Sequence, residues 1–145
     1  MRTSIDKRIQ GGLNAKYDKG SSEVIEETKV QLNQYFEGKR EFFDIPVLLI
    51  GSDFQKSVWN ELIQIPHGKT DTYLGLSQQL GNEKAIRAVA SANGANAISI
   101  IVPCHRIIGS DGNLVGYAGG LPVKKKLLEL EGALVDNQMD LFSNG

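Results

Sequence analysis

The chain holds a single cysteine, Cys104, and two histidines, His67 and His105, in 145 residues. One thiol cannot form an internal disulfide, which fits a reducing compartment and predicts a cytoplasmic location. One Cys and two His are too few for a four-ligand Cys/His zinc site, so no metal is expected. Long apolar runs are missing as well: none approaches the ~20 residues of a membrane-spanning helix. The start, M-R-T-S-I-D-K-R, lacks the apolar core of a secretory leader, and no membrane partner is expected. Charge of one sign is not in excess, with 16 Lys+Arg against 17 Asp+Glu and a net charge of −1. A nucleic-acid surface, if the chain has one, is then a local patch and not a property of the whole molecule.

What is present suffices for one sizeable core or two small domains sharing a face. The expected fold class is α/β: a small N-terminal α/β part over residues 1–50 and a mainly helical C-terminal domain over residues 51–145. In the first part, Ile25, Lys29, Leu32 and Phe36 fall at helical spacing with Tyr35 beside them, and Gly38 ends the helix. Pro46–Ile50 suits a strand. In the second part, Ser52-x-x-Gln55 is a capping-box pattern, followed by Phe54, Val58, Leu62 and Ile65 on one face with Trp59 beside it. His67 lies in a charged loop without a partner cluster and reads as a loop residue, not a ligand.

Two short helices come next. Leu74, Leu76 and Leu80 mark one; Gly81-Asn82 forms a turn, and Asn82 caps the other, Glu83–Asn93. The second, with the run A-I-R-A-V-A-S-A-N, has small residues that let a backbone come close, and Arg87 is its one central cation. Such a pair suits a helix-turn-helix, and it suits equally a hairpin packed in a core. Asp111-Gly112 predicts a tight turn, Pro122 opens a last helix, and Gly132 closes it.

Ile98–Val102 reads as a buried strand that ends at Pro103 and delivers Cys104, His105 and Arg106. A free thiol is only a few per cent thiolate at neutral pH, so a base or cation nearby gives it chemistry. Neighbours in a strand point to opposite faces, so His105 serves Cys104 only if the strand breaks there or a water relays the proton. Glu131 is a candidate to fix the histidine's tautomer. Against this stands the commonest fate of a cysteine, burial as an inert apolar residue.

The motifs P-C-H-R at 103–106, F-Q-x-x-V-W at 54–59, I-P-x-G-x-T at 65–70, R-A-V at 87–89, G-x-N at 94–96, G-x-A-G-G-L at 116–121 and L-L-x-x-E-G at 127–132 fall in order. Together they resemble the O6-alkylguanine-DNA alkyltransferases, from about Phe54 to Gly132, with a weaker match over 31–39. The resemblance implies direct, single-turnover transfer of an alkyl group from O6-alkylguanine, or O4-alkylthymine, in double-stranded DNA to Cys104. It implies no cofactor, a monomer, and a helix-turn-helix that enters the minor groove. It makes His105 the base acting through a water, Glu131 its orienting carboxylate, and Asn96 the hinge. It makes Tyr73 the proton donor that helps turn out the base, and Arg87 the residue that replaces the base in the stack. Ala85, Ala88 and Ala92 then face DNA, and Tyr117, Ala118, Ile107 and Trp59 surround the base. The sequence departs from the family pattern at Ala97, where proline is common, at Asn93 and at Ala118; these bear on substrate breadth. Two rival readings are a damage-binding module without transfer and a thiol hydrolase or redox enzyme.

Overall fold

A computed structural model describes residues 23–117 and 119–133. The C-terminal half starts as its local signals predict. Ser52 Oγ accepts from Gln55 N at 3.1 Å and Gln55 Oε1 from Ser52 N at 3.0 Å, closing the capping box of helix α2, Asp53–Ile63. Val58, Trp59 and Leu62 turn inward and Ile65 follows, whereas Phe54 stays exposed. Thr72 caps helix α3, Tyr73–Gln79, by accepting from Gly75 N at 2.9 Å. Gly81 takes φ +77° and Asn82 accepts from Lys84 N, as expected. The next helix begins with a tighter 3-10 turn, Glu83–Ala85, before α4, Ile86–Gly94.

Trp59 Nε1 donates to the Ala92 carbonyl at 2.8 Å and ties α2 to α4. Around that bond lies the core: Val58, Leu62, Ile65, Leu76, Val89, Val102 and Ile107, with Cys104 among them. Cutting one such side chain back to alanine costs ~2–5 kcal/mol.

Ile98–Val102 is not a strand. Asn96 Oδ1 accepts from Ile98 N at 2.9 Å, its Nδ2 donates to the Val102 carbonyl at 2.8 Å, and Val102 N bonds back to the Ile98 carbonyl. The segment folds into a closed loop with Ile100 at φ +76°, and only an isolated bridge joins Ser99 to Val102. An asparagine side chain that satisfies these backbone groups competes with sheet pairing. Cys104–Arg106 then forms a 3-10 turn. Among the described residues the sheet is two-stranded: β1, Asp71–Thr72, pairs in parallel with β2, Ile107–Ile108, in the register Asp71 to Ile107. After the turn around Gly112, helix α5, Leu121–Leu130, buries Lys124, Leu127 and Leu128, and Gly132 follows it at φ +74°.

Helix α1, Glu23–Phe36, forms, but it presents a different face from the one its apolar spacing predicts. Gln31 and Tyr35 are buried, while Ile25 and Phe36 are exposed. The docking is polar: Gln31 Oε1 accepts from Asp44 N and its Nε2 donates to the Asp44 carbonyl. The strand expected at Pro46–Ile50 is absent; those residues run as irregular chain. Among the described residues no helix is long and apolar enough to cross a membrane.

Candidate active site

Three segments far apart in sequence meet at Glu131. It follows α5, and its carboxylate is fully buried. Arg106 grips it with two bonds, Nε to Oε1 at 2.8 Å and Nη2 to Oε2 at 2.9 Å, while Nη1 donates to the Ile65 carbonyl. His105 Nε2 meets Oε2 at 2.7 Å and the Tyr35 hydroxyl donates to Oε2 at 2.6 Å. Burial pushes the Glu131 carboxyl up, but the bonds from His105 and Arg106 outweigh it and hold it well below the usual carboxylate range. His105 goes the other way: burial, helped by the Arg106 and Lys124 charges, keeps its pKa below the ordinary histidine value despite the Glu131 contact. At neutral pH the pair is therefore a carboxylate and a neutral imidazole. A carboxylate only accepts, so Nε2 carries the proton and Nδ1 is left as the free lone pair. That Nδ1 is buried and makes no hydrogen bond to the protein.

Cys104 begins the 3-10 turn on which His105 sits, and it is 6% exposed. Burial raises its pKa, opposed by hydrogen bonds from Asn96 and Ser99 and by the Lys124 charge. The resting group is a thiol, and it needs a base. Lys124 is wholly buried, and its pKa is pushed down to about 8 by desolvation. Its ammonium donates to the carbonyls of Ile107, Val115 and Gly116, pinning the loop beside the thiol.

The thiol opens into a cavity of about 220 Å³ lined by Tyr73, Asn93, Asn96, Ser99, Gly116 and Tyr117, among others. Burial raises the pKa of Tyr73, so its hydroxyl keeps its proton at neutral pH, and Asn93 donates to its oxygen. Asn93 Oδ1 is buried without a partner. Among the described residues no cluster of three His, Cys, Asp or Glu side chains could hold a metal.

Sequence reasoning and geometry agree that Cys104, Asn96, Tyr73 and Tyr117 share this cavity, with His105 and Glu131 packed behind it. They part over four residues. Trp59 and Ile107 are core residues that do not line the cavity, and Ala92 is buried against Trp59. Arg106 is a partner of Glu131 and not of the thiol. Arg87 and Ala88 are exposed on α4, Ala85 is half-buried, and Ala118 lies outside the described residues. His67 pairs with Glu41 at 3.4 Å and sets its ring edge-on to Tyr35. Reasoning from sequence missed Tyr35, Lys124 and Ser99, whereas Asn93, a departure from the family pattern, lines the cavity. Lys124 had a signal: it stands three and four residues before Leu127 and Leu128, on the apolar stripe.

A buried thiol backed by a carboxylate-held imidazole, on a small fold of helices around a minimal sheet, defines a protein built for cysteine chemistry on a ligand that enters the cavity. Comparison with known proteins narrows this. Residues 53–133 match the model of the 6-O-methylguanine DNA methyltransferase DNA-binding domain. A methylated-DNA–protein-cysteine methyltransferase of Methanosarcina acetivorans is 50% identical over 113 residues, 78% of this chain and 72% of that protein. The crystal structure of the Mycobacterium tuberculosis OGT in complex with DNA superposes with a TM-score of 0.73 at 47% identity, covering 81% of this chain and 72% of that one. An S. pombe protein in complex with damaged DNA containing O6-carboxymethylguanine gives 0.52 at 29% identity, over 58% of this chain and 80% of that one. The chain belongs to the 6-O-methylguanine DNA methyltransferase family.

Proposed function

We propose that this protein repairs duplex DNA by transferring the alkyl group of O6-alkylguanine to Cys104, as a methylated-DNA–protein-cysteine methyltransferase that acts once. The observation that carries the reading is the ordered pair behind the thiol: Glu131 holds His105 so that Nδ1 is its free lone pair, next in sequence to a buried cysteine that opens into the cavity.

The damaged base must leave the stack to reach Cys104, at a cost of a few kcal/mol. In this reading α3 and α4 form a helix-turn-helix lying in the minor groove, and the exposed Arg87 fills the gap left by the base. His105 Nδ1 takes the thiol proton through a water, and Asn96 and Lys124 steady the thiolate. The thiolate attacks the alkyl carbon in line: the S–C bond forms, the C–O6 bond breaks, and its electron pair leaves with guanine. Tyr73 supplies the proton that lets guanine depart neutral, and Glu131 shares the charge left on His105. The product is a thioether with no activated carbonyl for water to attack, so the cysteine is not regenerated. The lone cysteine supports work in the cytoplasm, and a site completed within one chain supports a monomer.

Intact mass and peptide mapping test this after mixing the protein with an O6-methylguanine duplex. The expected result is one methyl group per chain, on Cys104, with none from a guanine control. No mass gain together with selective binding would replace transferase with binding module.

A further inference from the structure

Glu131 Oε2 is shared by three donors: Arg106 Nη2, His105 Nε2 and the Tyr35 hydroxyl. The shortest of the three contacts, at 2.6 Å, is the one from Tyr35. Arg106 and His105 lie in the turn that carries Cys104. Tyr35 comes from α1, outside residues 53–133, and is 1% exposed. Its ring is held edge-on by Phe36 and His67 and packs against Phe43, so the hydroxyl has one direction to point.

A carboxylate oxygen that accepts a short bond from a phenol has less negative charge to offer its other donors. Three donors on one oxygen compete for it. We propose that Tyr35 is a positioning residue for alkyl transfer: its buried hydroxyl shares Glu131 Oε2 with His105 and so sets how strongly His105 draws the proton from Cys104. This rests on the reading of His105 as the base of Cys104. The charged and titratable groups around the carboxylate are Arg106 on its oxygens, Lys124 acting on His105 and on Cys104, Tyr117 acting on Tyr35, and His67 with its partner Glu41 against the Tyr35 ring. Replacing Tyr35 by phenylalanine leaves each of these in place and removes only the donor.

The sign follows from the charge on Oε2. Without the phenol, Oε2 presents more negative charge to His105, the imidazolium is stabilised, and His105 protonates at a higher pH. A protonated His105 cannot take the thiol proton, so the acid limb of the transfer rate moves up with it. In Tyr35→Phe the acid limb of the single-turnover rate should move up by about half a pH unit, so that on its falling arm the rate is about threefold below that of the wild type at the same pH. The same shift should be read directly from the His105 ring by NMR of histidine-labelled protein, where only two histidines give signals.

A fluorinated tyrosine placed at position 35 alone keeps the phenol and makes it a stronger donor. It should move both readouts the opposite way, and it carries the test if the phenylalanine variant does not fold. Opposed shifts in the two variants establish the role. An unchanged His105 titration and an unchanged acid limb, with only a lower melting temperature, would make Tyr35 a tether and overturn the proposal. If wild-type Cys104 gains no methyl group, the transfer reading fails, yet the His105 titration still decides what Tyr35 does.

Discussion

Glu131 and Cys104 are both buried and both tied to the turn 104–106, but they are furnished in opposite ways. The carboxylate takes four hydrogen bonds from three side chains, two of them from one arginine. It cannot move without breaking several at once. The thiol has hydrogen bonds from Asn96 and Ser99 and faces a cavity. One group is fixed so that it can orient; the other is left with room so that a substrate atom can reach it. The difference teaches that rigidity and reactivity are placed on separate residues, with His105 bonded to the one and next in sequence to the other.

The largest break in that contrast is at the thiol. Cys104→Ser should abolish methyl gain by mass spectrometry and leave binding to an O6-methylguanine duplex intact; transfer at the wild-type rate would sink the mechanism. On the other side, Glu131→Gln leaves Arg106 buried without its counter-charge. Urea unfolding should show a loss of ~3–5 kcal/mol, the usual penalty for removing one partner of a buried pair, and transfer should fall as well. An unfolding midpoint equal to the wild type would show that the ion pair is not structural.

Acid sharpens the comparison without mutation. Glu131 and His105 both have folded pKa values below their ordinary ones, so the unfolded chain binds protons more readily. Their contribution to stability is complete above histidine's ordinary 6.5. It declines as the pH falls below that value and again below the carboxyl's 4.5, until the folded values are passed. Melting temperatures should therefore fall from pH 7 to pH 4. The smallest effect expected lies away from both groups. Asn82→Ala removes the cap at the start of the Glu83–Ala85 turn and should cost ~1 kcal/mol in thermal unfolding, with no change in the methyl gained per chain.

What could be read from the sequence was what neighbouring residues decide. Ser52 with Gln55, Asn82 after Gly81, and the turn at Asp111-Gly112 are short-range arrangements, and all three are present. Ile98–Val102 was misread because β-branched residues suit a strand, while the feature that prevents one is a side chain, Asn96, whose two ends bind the segment's own backbone. The face of α1 was misread for a related reason. Apolar spacing points to Ile25 and Phe36, but the helix docks through the polar partners of Gln31 and Tyr35. Glu131 is reached through the family motif; spacing alone leaves it a candidate.

The bond between Tyr35 and Glu131 joins residues 96 positions apart, whereas His105 and Glu131 are separated by 26. Loop-closure entropy grows with the logarithm of that separation, so the first contact is harder to close by about 1 kcal/mol. Contacts of such range form late in folding. On a ribosome the order is stricter still: α1 can meet Asp44, Phe43 and His67 as they emerge, but the Tyr35 hydroxyl has no Glu131 to donate to until α5 and Glu131 have been made. The catalytic half can thus gather around Trp59 and Ala92 while the site is unfinished, and among the described residues the chain completes it with its first helix and its last buried residue.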